Sequence, residues 1–194
     1  IKRKRGLIQS NPFDMYDEKL IEVDTVFLTE CELDRIRELT FESDRLDTVR
    51  DIFLFCCYTS YAPVDVMNLT IDNLQIDASD DTWIRTKRQK SKVDSNIVAI
   101  QPVLRIIKKY TNDPRCVNSD RLLPRYSNQK MNEYLKEIAT LAGITKRLTW
   151  YVSRHTFATT ICLSNEIPLI DTSKMMGHKK TTQTQHYAKL IDSV

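Results

Sequence analysis

The sequence lacks the features of a membrane-inserted or exported protein. No apolar run approaches the ~18 residues that a membrane-spanning helix needs, and the basic start from Lys2 to Arg5 is not followed by a signal-peptide core. The five cysteines form no CxxC pair, and their odd number argues against both a disulfide framework and a zinc cluster. We therefore expect a protein of the reducing cytoplasm that contacts no membrane.

An excess of one charge is also missing. The 29 Lys and Arg residues are nearly balanced by 26 Asp and Glu residues, so the formal net charge of +3 does not by itself indicate a polyanionic partner. The positive charge is concentrated instead in two runs, 2–5 and 85–92. Each run, taken alone, is explained equally well as a solvated surface.

The chain is long enough for one main domain, since it has 194 residues of which 41% are hydrophobic. Residues 1–22 show no sustained period and contain Asn11-Pro12, so we expect a linker there and the domain in 23–194. The apolar spacing predicts a mainly α fold with a small three-stranded antiparallel β-sheet. The predicted helices are a segment of about ten residues after Thr29, a segment at 47–58, a short helix from Pro63, helices that follow Pro102 and Ser127, and segments at 151–163, 168–175 and 181–190. The predicted strands are 71–76, 82–88 and 95–100, and 111–120 is a predicted loop.

Residues typical of helix caps predict several of the helix boundaries. Thr29 and Glu32 have the spacing of a capping box, in which each side chain satisfies a free backbone amide of the first turn. Ser127 is a good N-cap. Of only three glycines, Gly143 and Gly177 fall just past the ends of predicted helices.

Four residues together have the chemistry to cleave a phosphodiester. The phenol of Tyr187 can attack phosphorus, while Arg154 and His178 bind the developing oxyanion. Lys90, on or beside a predicted hairpin turn, can protonate the leaving 5′ oxygen as general acid, although Lys87 and Lys92 are close competitors. This chemistry needs no cofactor, neither a metal nor ATP.

The segments that carry these residues resemble a known family. LTWYVSRHTFATT at 148–160, SKMMGH at 173–178 and TQHYAK at 184–189 are similar to the catalytic domain of tyrosine recombinases (phage-type integrases), in particular integrases of bacterial conjugative transposons and other mobile elements. The likeness extends to NPF at 11–13, FLTECEL at 27–33, VRDIFLFCCYTS at 49–60, RQKSK at 88–92 and SNQKMNEYLKEIA at 127–139.

The resemblance implies a fold, a function and partners. The fold would be a mostly helical catalytic domain with a small three-stranded sheet, normally preceded by a core-binding domain of which 1–22 would be the exit linker. The function would be site-specific recombination of duplex DNA through a 3′-phosphotyrosyl intermediate, for integration and excision of a mobile element. The partners would be duplex DNA and other recombinase protomers, in a synapse of four.

The resemblance also assigns roles to single residues. Tyr187 matches the nucleophile, Arg154 the second catalytic arginine, His178 the third histidine position, and Lys90 the hairpin lysine. His155 matches the last residue of the HxxRH motif and would support the site.

Two positions depart from the family pattern. Tyr151 stands where that motif begins with histidine, and a tyrosine can donate one hydrogen bond but carries no positive charge near neutral pH. Ala62 stands where the first catalytic arginine is usual. We expect another cation to compensate, with Arg88 as the first candidate and Arg85 as the second.

DNA contacts are predicted mainly at the start of the helix after Ser127. The polar side chains there can meet base edges or phosphates in a major groove, and Lys92 would add a contact from the hairpin. Aromatic residues are not interleaved with the cations, which favours duplex over single-stranded DNA. The predicted contact residues are Ser127, Asn128, Lys130, Asn132 and Lys92.

Two alternatives stay open at the level of sequence. A DNA invertase or resolvase would use the same chemistry, and the site residues do not distinguish it from an integrase. A catalytically inactive DNA-binding protein that keeps the fold would be consistent with Ala62 and Tyr151. A Tyr187-dependent covalent adduct with DNA would exclude the inactive protein.

Overall fold

The computed structural model describes residues 25–191, and the predicted linker at 1–22 lies outside them. Within the described residues the chain is mainly helical, with one three-stranded antiparallel sheet, as the sequence predicts. The helices are α1 (Glu30–Glu38), α2 (Asp44–Thr59), α3 (Pro63–Val66), α4 (Gln101–Tyr110), α5 (Pro114–Val117), α6 (Asn128–Leu141), α7 (Val152–Thr156), α8 (Leu169–Met175) and α9 (Thr182–Ile191); the strands are β1 (Leu74–Ile76), β2 (Thr82–Lys87) and β3 (Asp94–Val98).

The predicted helix boundaries are present where their capping residues stand. Thr29 and Glu32 form a complete capping box at the start of α1. The side chain of Ser127 accepts from the backbone N–H of Lys130 and caps α6. Gly143 follows α6 and has a left-handed φ of +62°, a conformation that an L side chain avoids.

Helix α2 lies at the centre of the core. Every residue from Asp51 to Thr59 is buried, and the adjacent thiols of Cys56 and Cys57 are fully buried among apolar side chains. Helix α2 packs against α4, α6 and α7, so the helix that carries Arg154 rests directly on the central helix. Burial raises the pKa of the Cys56 thiol to about 12, which leaves this cysteine an uncharged packing residue.

The sheet places a hairpin beside the C-terminal helices. Strand β2 pairs with β1 on one side and with β3 on the other, where Lys87 lies opposite Asp94. Two hydroxyl groups fasten the β2–β3 hairpin to the end of α8: Ser95 donates to the carbonyl oxygen of Met175 at 2.6 Å, and Ser91 donates to that of Gly177 at 3.1 Å. The hairpin is therefore held against the segment that precedes His178.

Three predicted elements differ in the structure. The strand predicted at 71–76 is extended only over Leu74–Ile76, because Thr70 and Asn73 form a capping box that closes a 3₁₀ turn at Ile71–Asn73. The helix predicted at 151–163 is α-helical only over Val152–Thr156; it continues as a π-helix at Phe157–Cys162 and a 3₁₀ turn at Leu163–Asn165. The predicted loop at 111–120 contains the short helix α5, which starts at Pro114 with Asp113 as N-cap.

Within residues 25–191, no helix combines the length and the apolar character that spanning a membrane requires.

Candidate active site

Arg154 is the centre of the site. It lies on α7 with only 3% of its surface exposed. Its Nη1 donates to the carbonyl oxygen and Oγ of Ser60, at 2.7 and 2.9 Å, and its Nη2 donates to the carbonyl oxygen of Met176 at 2.7 Å and approaches Nε2 of His178 at 2.8 Å. Burial, and next the charge of Arg88, lower the pKa of Arg154, but a guanidinium still keeps its proton at neutral pH. The cation is thus held rigidly where α2 and α8 end.

His178 lies between Arg154 and helix α9. Its Nε2 faces the guanidinium, and its Nδ1 lies 2.7 Å from Oγ1 of Thr184. Burial, followed by the charges of Arg154 and Arg88, lowers the pKa of His178 to about 4, so the ring is neutral near pH 7. Because arginine can only donate, Nε2 accepts in this arrangement, whereas the sequence predicts that His178 donates to an oxyanion.

Tyr187 is buried, with 3% of its surface exposed, and its hydroxyl lies 3.0 Å from Nδ1 of His155. Burial raises the pKa of Tyr187 to about 12, while Arg154 acts in the opposite direction. Burial, and then His186 and Arg154, lower the pKa of His155 to about 4. A protonated phenol therefore faces a neutral imidazole, and in the tautomer with the ring proton on Nε2 the phenol donates to Nδ1.

Arg88 is the cation that the hairpin contributes. It follows β2, is 8% exposed, and its Nε lies 2.7 Å from Oδ2 of the buried Asp65. Its Nη1 donates to the carbonyl oxygen of Met176 at 2.7 Å, the same oxygen that Arg154 binds. The helix carrying Asp65 begins immediately after Ala62. Arg88 thus lies next to Arg154, anchored by a carboxylate from the segment that follows Ala62.

Gly177 makes this arrangement possible. Its φ of +63° is left-handed, and a Cβ built on it would lie 2.6 Å from Cγ of Arg88 and 3.4 Å from Cβ of Ser95. A side chain at this position would displace Arg88 or the backbone that carries His178. The glycine is required both by conformation and by the close approach of the hairpin.

The hairpin lysines point to different clefts. Lys90 lines a cleft of about 330 Å³ together with Arg154, His178 and Tyr151, whereas Lys92 lines another of about 300 Å³ beside Asp65. Lys90 is exposed on the hairpin. The structure therefore favours Lys90 over Lys92 as the lysine of this site.

The other two candidates, Tyr151 and Arg85, lie in different surroundings. Tyr151 is 53% exposed, borders the cleft and stacks edge-to-face on His155 at 5.1 Å between ring centroids. Arg85 does not join the site: it lies on β2 and its guanidinium is over the ring of Trp83. Of the two candidate compensating cations, only Arg88 is beside Arg154.

The predicted DNA-contact residues at the start of α6 also differ among themselves. Ser127, Asn128 and Lys130 are exposed, although Ser127 is occupied by its cap and Lys130 pairs with Glu133 at 3.0 Å. Asn132 instead turns inward, and its side-chain oxygen accepts from the backbone N–H of Trp150 at 2.7 Å. That bond secures the segment before α7, so the side-chain oxygen of Asn132 is engaged within the fold.

The sequence analysis missed three residues that the site uses. Met176 binds Arg154 through its backbone carbonyl oxygen, which no side-chain pattern reveals, and Ser60 binds it through both its carbonyl oxygen and its Oγ. Thr184 is fully buried and binds His178, and its position one helical turn before Tyr187 is the signal that could have identified it.

Comparisons with known proteins show the family and the fold of the chain. The sequence matches the model of the phage integrase family over residues 27–193. A search of curated proteins by sequence found no match. The fold is similar to that of a lambda integrase dimer bound to a COC′ core site, with a TM-score of 0.74 and 15% identity, covering 96% of this chain and 67% of that chain.

Two further solved structures show the same likeness. XerA recombinase aligns with a TM-score of 0.69 and 24% identity, over 97% of this chain and 67% of that chain. The XerH recombinase post-cleavage complex aligns with a TM-score of 0.67 and 16% identity, over 83% of this chain and 48% of that chain. The chain spans about half to two thirds of the length of these proteins, and at these identities the likeness establishes the fold.

Proposed function

Because the chain belongs to the phage integrase family, we propose that residues 23–194 form the catalytic domain of a tyrosine recombinase that cuts and rejoins duplex DNA. One observation carries the proposal: the hydroxyl of Tyr187 is bound to His155, the residue next to Arg154, and Arg154 is in turn bound to His178. Arg154 and His178 thus line one cleft, and the nucleophile Tyr187 is buried against His155 without lining that cleft itself.

The proposed cleavage step follows from these contacts. The oxygen of Tyr187 forms a bond to the scissile phosphorus, and its proton passes to Nδ1 of His155 across the 3.0 Å hydrogen bond. The bond from phosphorus to the 5′ oxygen breaks, and that oxygen takes a proton from the ammonium of Lys90. The product is a 3′-phosphotyrosyl link and a free 5′-hydroxyl, and rejoining is the same sequence reversed.

The charge that develops on the phosphate is met by two arginines. Arg154 and Arg88 both present N–H groups at the carbonyl oxygen of Met176, so a phosphate in the adjoining cleft lies within reach of two permanent cations. Arg88 supplies the charge that the usual arginine would bring at Ala62. This compensation argues against an inactive DNA-binding protein.

The biological role is proposed from the relatives. The structures similar in fold include the Tn1549 transposon integrase in complex with a circular intermediate DNA, and a lambda integrase tetramer bound to a Holliday junction. These support duplex DNA as substrate, a synapse of four protomers, and integration and excision of a mobile element as the outcome. The five free cysteines support residence in the reducing cytoplasm.

A covalent-trapping assay tests the proposal without knowledge of the target. The protein is incubated with a pool of duplexes of randomised sequence that each carry one nick, so that the short strand departs after cleavage. Wild-type protein should yield adducts that survive denaturation, and Tyr187→Phe should yield none. Absence of adducts under conditions in which the protein binds DNA would favour the inactive DNA-binding protein instead.

A further inference from the structure

Thr184 connects the nucleophile's helix to the cation pair. It is fully buried in the first turn of α9, three residues before Tyr187, and its Oγ1 lies 2.7 Å from Nδ1 of His178. On the other side of the same ring, Nε2 lies 2.8 Å from Nη2 of Arg154. A hydrogen-bonded chain therefore runs from α9 through the imidazole to the guanidinium.

The hydrogen-bonding groups of Arg154 and Thr184 determine which ring nitrogen of His178 carries the proton. Arg154 carries only donors, so Nε2 of His178 must accept. Because the ring is neutral, its single proton lies on Nδ1 and is donated to the oxygen of Thr184. In this state His178 has no proton to offer to a phosphate in the cleft.

Binding of a scissile phosphate changes which ring nitrogen of His178 must carry the proton. An anionic oxygen is a stronger acceptor for a guanidinium than a neutral imidazole nitrogen, so it replaces Nε2 as a partner of Arg154. Nε2 then faces a negative oxygen and needs a proton to bind it. If the ring stays neutral, Nδ1 becomes an acceptor, and its buried partner must become a donor.

A hydroxyl group can make this change by rotation alone, because it both donates and accepts. We propose that Thr184 is a positioning residue whose hydroxyl allows His178 to exchange the Nδ1–H form for the Nε2–H form when a phosphate binds, while the ring stays in place. One proton leaves Nδ1 and one arrives at Nε2, with water as donor and acceptor, so the charge of the ring is unchanged. The inference rests on the proposed function, since it assigns a phosphodiester to the cleft.

Nitrogen NMR of the ring tests the exchange directly. The chain has three histidines, so a sample labelled with ¹⁵N-histidine gives few signals, which His→Gln variants assign. In free protein, His178 should show a protonated Nδ1 and a bare Nε2. In a Tyr187→Phe complex with nicked duplex recovered from the trapping pool, the two should be reversed. A ring that keeps the first form, or that is doubly protonated, overturns the proposal.

Kinetics of adduct formation supply a second test. Thr184→Val keeps the shape but cannot hydrogen-bond, and it should slow the adduct by about 10- to 100-fold, the usual loss when the partner that orients a functional imidazole is removed. Thr184→Ser keeps the hydroxyl and should stay within about 3-fold of wild type. Thr172→Val, which alters another fully buried threonine outside this chain of bonds, is the control for packing.

The possible failures are distinguishable. Equal rates for the valine and serine variants, with unchanged melting temperatures, would refute the role of Thr184 even if wild-type protein forms adducts. If wild-type protein forms none, the proposed function fails. The NMR signals of free protein would still show whether His178 donates to Thr184 in the way the inference requires.

Discussion

The guanidinium groups of Arg88 and Arg154 donate to the same oxygen, the backbone carbonyl of Met176, each across 2.7 Å. One comes from the β2–β3 hairpin and the other from α7, so two distant segments bring like charges together at one point. Asp65 offsets part of this charge through its 2.7 Å contact with Arg88. The remaining positive potential opens onto the cleft that Lys90 and His178 line, where an anion would be stabilised.

The first prediction concerns Arg88 as the substitute cation. Arg88→Lys keeps a positive charge for Asp65 but loses the planar fork, and we expect adduct formation to fall by about 10²- to 10³-fold, the usual cost of deleting one preorganised donor. Arg85→Ala should remain within about 3-fold, since its side chain lies over Trp83. If the two variants behave alike, Arg88 does not compensate for Ala62.

The second prediction concerns Lys90 as the proton donor. Lys90→Ala should slow cleavage of an ordinary phosphodiester by about 10²-fold or more, because the 5′ oxygen would leave without a proton. A duplex with sulfur in place of that oxygen needs no proton on leaving, so it should restore the rate. Lys87→Ala, which removes a neighbouring exposed lysine, is the matched control. A defect that persists with the sulfur substrate would assign Lys90 a role in binding.

The third prediction concerns His155 as the acceptor of the phenolic proton. The raised pKa of Tyr187, to about 12, leaves the phenol protonated near pH 7, so removal of its proton is part of the barrier. His155→Gln should therefore lower the rate by about 10²-fold at neutral pH and make it rise with pH as hydroxide takes over. A pH profile parallel to that of wild type would show that His155 only supports the helix.

The sequence predicts well where local signals decide the structure. Thr29, Ser127 and Gly143 mark helix ends because capping and a left-handed turn depend on a few adjacent residues. The family pattern also predicts Tyr187 and Arg154 as site residues, and in the structure Tyr187 binds His155, the neighbour of Arg154.

Contacts between segments that are far apart in the chain could not be predicted from the sequence. Asn132 has a polar side chain typical of a DNA contact, yet its oxygen accepts a hydrogen bond from the backbone N–H of Trp150, 18 residues further along the chain. The helix predicted at 151–163 has the right apolar spacing, but the π-helical turns at Phe157–Cys162 have no signature in that periodicity. The acceptor role of His178 depends on an arginine 24 residues away.

The fourth prediction is a pH dependence of stability. The structure lowers the pKa of all three histidines: His155 and His178 to about 4, and His186 to a smaller extent. Below about pH 6.5 the histidines of the unfolded chain bind protons, whereas those of the folded chain stay neutral. Their contribution to the free energy of unfolding is therefore fully present above that pH and is lost as the pH falls toward 4. Melting temperatures should decline steadily from pH 6.5 to 5. A flat profile in that window would show that the histidines are not held neutral.

The fifth prediction compares two glycines with the same backbone conformation. Gly143→Ala should cost only the strain of a left-handed residue, about 1–2 kcal/mol, because the nearest atom to the new methyl group is the flexible end of Arg35. Gly177→Ala adds a contact of 2.6 Å with Arg88 and should reduce adduct formation as well as stability. Adduct rates and melting temperatures of the pair separate the two effects.

The most direct test of the account identifies the residue that carries the DNA. Adducts from the nicked-duplex pool are digested with nuclease and protease, and the peptide that retains a nucleotide is sequenced by mass spectrometry. The account predicts a single modified peptide in which Tyr187 is joined to a 3′ phosphate. A nucleotide on any other side chain, or on a 5′ phosphate, would contradict it.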